Sequence, residues 1–125
     1  MNEKFEKGLA IRKEVLGEEY VNRSLENATE FNQPLQELIT TYCWGEVWGR
    51  EGLDKKTRSI LNLGMLTALN RGNELRLHLK GALNNGVTVN EIQEIFLQAG
   101  IYCGVPAALE SFKIAKEVID EYEAS

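Results

Sequence analysis

Three side chains with clear chemical potential lie close together near the middle of the sequence: Arg71, Glu74 and His78. They are separated by three and four positions, a spacing that places all of them on one side of a helix. His78 is the only histidine of the chain, and histidine is the side chain whose charge changes near neutral pH. A carboxylate one turn away is expected to raise the pKa of His78 and to favour the imidazolium. A cation, an anion and a proton-transfer group on one stripe predict a site for an anionic substrate.

The same stripe has a second interpretation. A Glu–His pair four positions apart is common on solvated helix faces, where it contributes only about 0.2–0.5 kcal/mol. The elements that surround the stripe must decide between the two.

Length and charge bound the class of protein. With 125 residues the chain is long enough for one domain, expected over residues 1–125, but too short for two. A net charge of −5 argues against nucleic acid or an anionic membrane as the main partner. No apolar run approaches the ~20 residues that cross a bilayer, and the segment 1–7 lacks the apolar stretch of a signal peptide. The sequence therefore predicts a cytoplasmic globular protein.

The two cysteines, Cys43 and Cys103, are 60 positions apart. Neither belongs to a Cys-x-x-Cys pair, and the Cys/His spacing of a zinc site is missing, so no metal centre is expected. We expect two free thiols that fill the interior and do not act as nucleophiles.

Helical spacing recurs along the chain and strand-like alternation is nearly absent, so the sequence predicts an all-α single-domain bundle of about six helices. In the first part of the chain we expect a helix from Phe5 to Leu16 ended by Gly17, a polar loop from Asn22 to Asn32 and a helix from Pro34 to about Trp48. A helix through Ile60 to Leu69 follows, with Asp54 as its cap, and then, after a break at Gly72-Asn73, a helix with Glu74 and His78 that ends at Asn84-Asn85-Gly86. The last two predicted elements are a helix capped by Thr88 and Glu91 that runs to Cys103 and a helix after Gly104-Val105-Pro106. The stretch from Ile60 to Leu69 is apolar on nearly every side, which predicts burial all round, in a core or in an oligomer interface.

Arg58 lies in the first turn of that apolar helix, where the helix dipole disfavours a cation. One compensation is a bound carboxylate shared with the helix N-terminus. The other is a pairing with Asp54, Glu46 or Glu51.

An aromatic segment and a helix break supply further candidates. Trp44 and Trp48 share a helical face, which favours a packing role. Glu46 between them is either desolvated, with a raised pKa, or solvated on the opposite face. Tyr102 and Cys103 stand directly before a break and either line a pocket or pack in the interior.

A series of short segments spread over nearly the whole chain is more specific than any single residue. The segments are Asn27–Phe31, Trp44–Trp48, Gly52–Leu53, Thr57–Ser59, Ala68–Gly72, Leu77–Leu79, Asn84–Thr88 and Ile101–Pro106. Together they resemble the 4-carboxymuconolactone decarboxylase family of the alkylhydroperoxidase-D-like superfamily. The resemblance implies an all-α fold and a homo-oligomer, with a hexamer or a trimer as the expected assembly.

The redox branch of that superfamily uses a glutamate, a Cys-x-x-Cys pair and a histidine four residues further on. These positions correspond here to Ser59, Arg71, Glu74 and His78. Only the histidine is retained, and without the thiols the peroxidase chemistry of that branch has no redox centre. The resemblance therefore points to the decarboxylase branch.

The reaction implied by the resemblance is the loss of CO₂ from 4-carboxymuconolactone, or from a closely related lactone acid, without a cofactor. The product would be the 3-oxoadipate enol-lactone of protocatechuate catabolism, in the β-ketoadipate pathway. Arg58 and Arg71 would bind the carboxylates of this small dianion. Trp44 and Tyr102 complete the expected substrate-binding residues.

In the same interpretation His78 acts as general acid or as hydrogen-bond donor to the developing oxyanion, oriented by Glu74. Glu46 is either a second acid or, when ionised, a negative charge that pushes against the departing carboxylate. Leu109 and Lys113 depart from the asparagine and histidine expected in the last helix. If they face the pocket, the substrate is a related lactone or keto acid; the alternative is that they face solvent.

Two other functions remain open. A thiol-dependent antioxidant protein that uses Cys103 or Cys43 alone needs an exposed thiol of low pKa near His78. A non-catalytic oligomeric module that binds a small molecule needs only the pocket.

Overall fold

The computed structural model describes residues 2–125, which are helical apart from short turns. Its helices are α1 (Glu3–Leu16), α2 (Glu18–Glu26), α3 (Gln33–Leu38), a π-helix (Ile39–Val47), α4 (Lys55–Ala68), α5 (Gly72–Asn84), α6 (Val89–Cys103) and α7 (Val105–Ala124). The predicted all-α class is confirmed. The chain divides into two compact units, Met1–Asp54 and Lys55–Ser125, and a single domain over residues 1–125 stays a prediction.

The first unit is built on the close approach of α1 to the π-helix. A side chain at Gly8 would overlap the carbonyl oxygen of Thr40, and one at Gly45 would overlap the carbonyl oxygen of Lys4. Both glycines therefore allow backbone-to-backbone contact between the two helices. The buried Arg12 of α1 reinforces the contact, because its guanidinium donates to Thr40 Oγ1 at 3.1 Å.

Two predictions for this unit need correction. The loop expected from Asn22 to Asn32 is wrong in its first part, because α2 continues to Glu26. Val21 is fully buried and Leu25 half-buried four positions later, and this single apolar stripe is enough to hold a short helix against α1. The helix predicted from Pro34 is confirmed as helical, but it changes from α to π geometry at Ile39.

The second unit packs α4, α5, α6 and α7 around one apolar core. Fully buried Leu63, Leu79 and Phe96 come from three of these helices, and Val118 comes from α7. The core fixes which side of α4 and α5 faces inward, and thereby which side is left for polar groups.

A tight turn joins α4 to α5. Asn70 adopts a left-handed conformation with φ of 57°, and the N–H of Arg71 donates to the carbonyl of Leu66 at 3.0 Å. This is the pattern of a Schellman motif, which ends a helix and reverses the chain. The predicted break at Gly72-Asn73 is therefore slightly late: Arg71 is the N-cap and α5 begins at Gly72.

Three other predicted helix ends in this unit are confirmed. Gly86 has φ of 90° directly after α5, as expected for a C-terminal glycine. Thr88 and Glu91 form the predicted capping box of α6, with bonds of 3.1 and 2.9 Å. Gly104, with φ of 110°, separates α6 from α7.

The apolar α4 is not buried all round within this chain. Leu63 and Thr67 are buried, whereas Leu61 and Met65 are 51% and 45% exposed. Of the two predicted places of burial, the core of this chain is wrong for that side of α4, and an oligomer interface stays a prediction. No helix in the described residues is long and apolar enough to span a membrane.

Candidate functional site

His78 lies on the side of α5 that faces α4. Its neighbours in the sequence, Leu75 and Leu79, belong to the core, so the imidazole emerges beside the core and is half-buried. The amide nitrogen of Asn62 on α4 lies 3.4 Å from His78 Nδ1. The histidine is thus held between two helices. It does not belong to a Glu–His pair on a solvated helix face, which was the second interpretation of this stripe.

The protonation of His78 differs from the expectation. Burial lowers the pKa of His78 below its usual value, and the negative charge of Glu74 opposes that shift without cancelling it. The prediction that Glu74 would favour the imidazolium is therefore wrong. Burial of the ring outweighs the charge of Glu74, because desolvation disfavours the charged form, and His78 is a neutral imidazole near pH 7.

Arg71 and Glu74 lie together at the start of α5, as the spacing predicts. The Nε–H of Arg71 donates to Glu74 Oε1 at 2.9 Å, and both side chains are partly exposed. A guanidinium has five N–H donors, so this bond orients Arg71 and leaves donors for an anionic ligand. The predicted group of Arg71, Glu74 and His78 is therefore brought together at the N-terminal half of one helix.

Arg58 is half-buried on α4, four positions before Asn62. A separation of four residues places the two side chains on the same side of the helix. Arg58 therefore lies about one turn, roughly 5–6 Å along the axis, from the amide that contacts the ring of His78. The next residue, Ser59, is turned inward and accepts a hydrogen bond from Asn85 Nδ2 at 2.9 Å.

Glu46 belongs to the first unit, and its side chain is 39% exposed. Lys4 Nζ lies 2.7 Å from Glu46 Oε2. This hydrogen bond and the charge of Lys4, assisted by Arg50 and Lys7, lower the pKa of Glu46. The expectation of a raised pKa is wrong, and the solvated alternative agrees with the structure.

Trp44, Trp48 and Cys43 are the other candidate residues of the first unit, and they have packing roles. Trp44 and Trp48 are 3% and 6% exposed, with ring centroids 4.7 Å apart, so their predicted packing is confirmed. Cys43 is half-buried, and burial raises its pKa against the opposing charge of Arg12. A thiol of raised pKa is a poor nucleophile.

An open apolar groove of about 440 Å³ runs along the second unit between α4 and α6. Its walls include Met65, Ala68, Ile95, Tyr102 and Cys103. Tyr102 is 83% exposed and Cys103 is exposed, so the expectation that they pack in the interior is wrong. Neither Arg58 nor Asn62 is among the residues that line this groove.

Leu109 and Lys113 are both exposed on α7, which agrees with the solvent-facing alternative. Asn62 is the residue that the sequence interpretation missed. Its signal was an asparagine inside an otherwise apolar helix, a place where asparagine is unfavourable unless it has a partner. The described residues contain no group of histidine, cysteine and carboxylate side chains that would hold a metal ion.

Comparison with known proteins agrees with the motifs. Residues 33–117 match the carboxymuconolactone decarboxylase family. The chain is 46% identical to the 4-carboxymuconolactone decarboxylase of Acinetobacter baylyi over 119 residues, which cover 95% of this chain and 89% of that protein. It is 49% identical to the nitrosuccinic acid decarboxylase of Metarhizium robertsii over 117 residues, 94% of this chain and 82% of that protein. The chain belongs to the carboxymuconolactone decarboxylase family.

Proposed function

We propose that this protein is a carboxy-lyase that removes CO₂ from 4-carboxymuconolactone and releases the 3-oxoadipate enol-lactone, without a cofactor. The observation that carries the proposal is the half-buried neutral His78, with Arg71 and Glu74 one to two turns away, in a chain that shares 46% identity with a decarboxylase of that substrate. The proposed physiological setting is aromatic catabolism through the β-ketoadipate pathway, in the cytoplasm.

The reaction itself needs an electron sink and a site for a dianion. The substrate is a butenolide with a carboxylate on its γ-carbon and an acetate arm. When the bond to the carboxylate breaks, its electron pair passes through the ring double bond into the lactone carbonyl. A proton, which water supplies in this proposal, then adds at the α-carbon and completes the enol-lactone. The protein must therefore neutralise two carboxylates and stabilise a dienolate oxygen.

The arginines supply the positive charge. Arg71 is held by Glu74 at 2.9 Å and is partly exposed, so it is oriented before a ligand arrives. Arg58 is half-buried on the adjacent helix. In the proposal each binds one substrate carboxylate, because a guanidinium matches the planar geometry of that group.

His78 supplies the hydrogen bond to the dienolate. A neutral imidazole with a lowered pKa is a poor proton donor but a good hydrogen-bond donor, so the oxyanion role is favoured over the general-acid role. Glu46 has a lowered pKa, which argues against its predicted role as a second acid, and the proposal assigns no role to this residue of the first unit. Trp44, which is 3% exposed, and Tyr102, on the apolar groove, take no part in it.

A second substrate is favoured by a specific observation, the 49% identity with a nitrosuccinic acid decarboxylase. Nitrosuccinate is also a dicarboxylate, and loss of one carboxylate leaves its electron pair in the nitro group. The demands on the protein are the same: two carboxylates to bind and a developing oxyanion to stabilise.

The test presents both substrates to the purified protein, with release of CO₂ and loss of substrate as readouts. We expect turnover of freshly generated 4-carboxymuconolactone that a chelator does not reduce. Faster turnover of nitrosuccinate would reassign the substrate within the same reaction class. Absence of turnover with both would refute the proposal, provided that the oligomeric state is unchanged between preparations.

The thiol-dependent alternative has less support. Cys43 has a raised pKa, and Cys103 lines the groove beside Met65. Replacing both cysteines by serine is expected to leave decarboxylation intact, whereas a thiol-dependent protein would lose its activity.

We also propose that the protein is a homo-oligomer, with a trimer or a hexamer as the expected form. The exposed apolar side of α4 continues across the groove to α6, where Leu97 and Ile101 are 52% and 80% exposed. A contiguous apolar surface of this kind is typical of an interface. We take a second copy of the chain as the partner that covers this surface. Leu63 packs α4 on the core of its own chain, and Leu61 and Met65 leave an apolar outer side for another copy.

Sedimentation velocity tests the assembly. Ile101→Lys is expected to reduce the oligomer to smaller species because it places a charge in the apolar surface. Ala124→Lys, at the exposed end of α7, adds the same charge elsewhere and is expected to change nothing. A wild-type protein that sediments as a monomer would contradict this part of the proposal.

A further inference from the structure

Asn62 is the polar side chain that α4 directs at the candidate catalytic histidine. Its amide nitrogen lies 3.4 Å from His78 Nδ1, and the two residues are 16 positions apart on different helices. The contact therefore depends on the packing of α4 against α5 and not on local sequence. Ile60, Leu63 and Leu66, which surround Asn62 on α4, all pack on the core, so an asparagine is out of place in this helix unless the contact has a use.

The chemistry of the two atoms selects one form of the ring. A carboxamide nitrogen only donates hydrogen bonds. A ring nitrogen that accepts one must be unprotonated, so the proton of the neutral imidazole then resides on the other nitrogen. A hydrogen-bonded neighbour of this kind commonly sets which ring nitrogen of a histidine is available for chemistry.

We propose that Asn62 is a positioning residue that holds His78 in the neutral tautomer with its proton on Nε2. The inference rests on the proposed function in one respect: Nε2–H is the group that would donate to the dienolate oxygen. A carboxamide suits this purpose better than a carboxylate, since a carboxylate at the same place would stabilise the imidazolium.

The charged groups around the ring are consistent with a neutral imidazole. On α5 itself, Glu74 acts on His78 and is bonded to Arg71. On α4 the charged residue on the same side as the amide is Arg58, one turn away. On α7, the other helix packed against α5, Glu117 is paired with Arg76. Burial lowers the pKa of His78 despite Glu74, so the ring remains neutral and its tautomer matters.

The chain offers an unusually clean test, because His78 is its only histidine. Protein prepared with isotope-labelled histidine gives one pair of ring-nitrogen signals, and their chemical shifts report the tautomer and its titration without any substrate. We expect the wild-type protein near neutral pH to show a protonated Nε2 and an unprotonated Nδ1. A protonated Nδ1 would overturn the inference, because it would mean that the amide presents its oxygen to the ring.

Two variants test whether Asn62 is the cause. Asn62→Leu removes the donor at similar volume and is expected to give a mixture of tautomers. Asn62→Asp is expected to move the proton to Nδ1 and to raise the pKa of His78. Asn90→Asp makes the same exchange at an exposed position on α6 and is expected to leave the ring signals unchanged. An Asn62→Leu protein that keeps the wild-type tautomer would refute the role of Asn62.

Kinetics then separate this inference from the proposed function. Asn62→Leu is expected to lower kcat by roughly tenfold with little change in KM, and Asn62→Asp is expected to move the acid limb of the pH profile to higher pH. A wild-type protein with the expected tautomer but no decarboxylation would refute the proposed function and leave the inference intact. Turnover together with a protonated Nδ1 would refute the inference alone.

Discussion

Replacement of His78 by glutamine and by alanine separates hydrogen-bond donation from proton transfer. A glutamine carboxamide carries an NH₂ group near the position of the imidazole Nε2 and remains neutral at every pH of interest. Alanine offers no donor at all. Because burial keeps His78 neutral, we expect donation to be its contribution, and we therefore expect the glutamine variant to retain much of the activity that the alanine variant loses.

The expected magnitudes follow from the environment of the ring. Loss of one donor to a developing oxyanion in a water-poor site lowers kcat by about 10²–10³, or about 2.7–4 kcal/mol. His78→Ala is expected to fall in that range. His78→Gln keeps the donor with less exact placement, so a loss of roughly tenfold, about 1.4 kcal/mol, is expected. If His78 were the general acid, both variants would lose about 10²–10⁴, because neither side chain titrates.

The assay is the initial rate of lactone loss at saturating 4-carboxymuconolactone. Lys80→Ala, an exposed change on the same helix, is the matched control and is expected to retain the wild-type rate. Thermal unfolding of all three variants excludes a loss of fold as the cause. A glutamine variant as slow as the alanine variant, in a folded protein, would refute the donor role and restore proton transfer as the function of His78.

Three other outcomes follow from the packing and the caps. Gly8→Ala should lower the free energy of unfolding by about 2 kcal/mol, because overpacking against the backbone of Thr40 costs about 3 kcal/mol and the higher helix propensity of alanine returns about 1 kcal/mol. Ala10→Gly, at an exposed position of the same helix, should cost only about 1 kcal/mol in the same urea titration. Equal effects of the two substitutions would contradict the close approach of the helices at Gly8. Thr88→Ala should cost about 1 kcal/mol by removing the cap bond to Glu91, and a variant as stable as wild type by calorimetry would contradict it. The pKa of His78 is lower in the folded than in the unfolded chain, so the unfolded chain binds the proton first as the pH falls below about 6.5. The free energy of unfolding of the wild-type protein should therefore decrease below that pH, and His78→Gln should lack that part of the decrease. A difference in stability between the two proteins that does not vary with pH would contradict the lowered pKa.

Local signals explain what could be predicted from the sequence. The ends of α1 and α5 and the start of α6 depend on Gly17, Gly86 and the Thr88–Glu91 pair, each of which acts within a few residues. The stripe of Arg71, Glu74 and His78 was likewise recognisable because helical neighbours are fixed by spacing alone.

Tertiary contacts explain what was missed. The π-helix packs backbone to backbone against α1 at Gly8, 31 positions before Ile39, and no pattern within the π-helical segment predicts that contact. The protonation of His78 was predicted from Glu74, its neighbour in sequence, and was wrong because burial in the folded chain outweighs the charge of Glu74. Asn62 was missed for the same reason, since its partner is 16 positions away.

A neutral histidine is the better companion for two arginines in a site for a dianion. A guanidinium is a permanent cation in proteins, so two arginines attract substrate carboxylates in a way that does not depend on pH. A third cation at His78 would strengthen substrate binding and transition-state binding alike, which lowers KM without raising kcat. A neutral donor interacts weakly with the uncharged lactone carbonyl and strongly with the oxyanion that forms when CO₂ leaves, so its contribution appears in kcat. On this argument the burial of His78 and its contact with the amide of Asn62 have the same effect. Both keep a neutral hydrogen-bond donor, and not a cation, beside the carbonyl oxygen that receives the electrons.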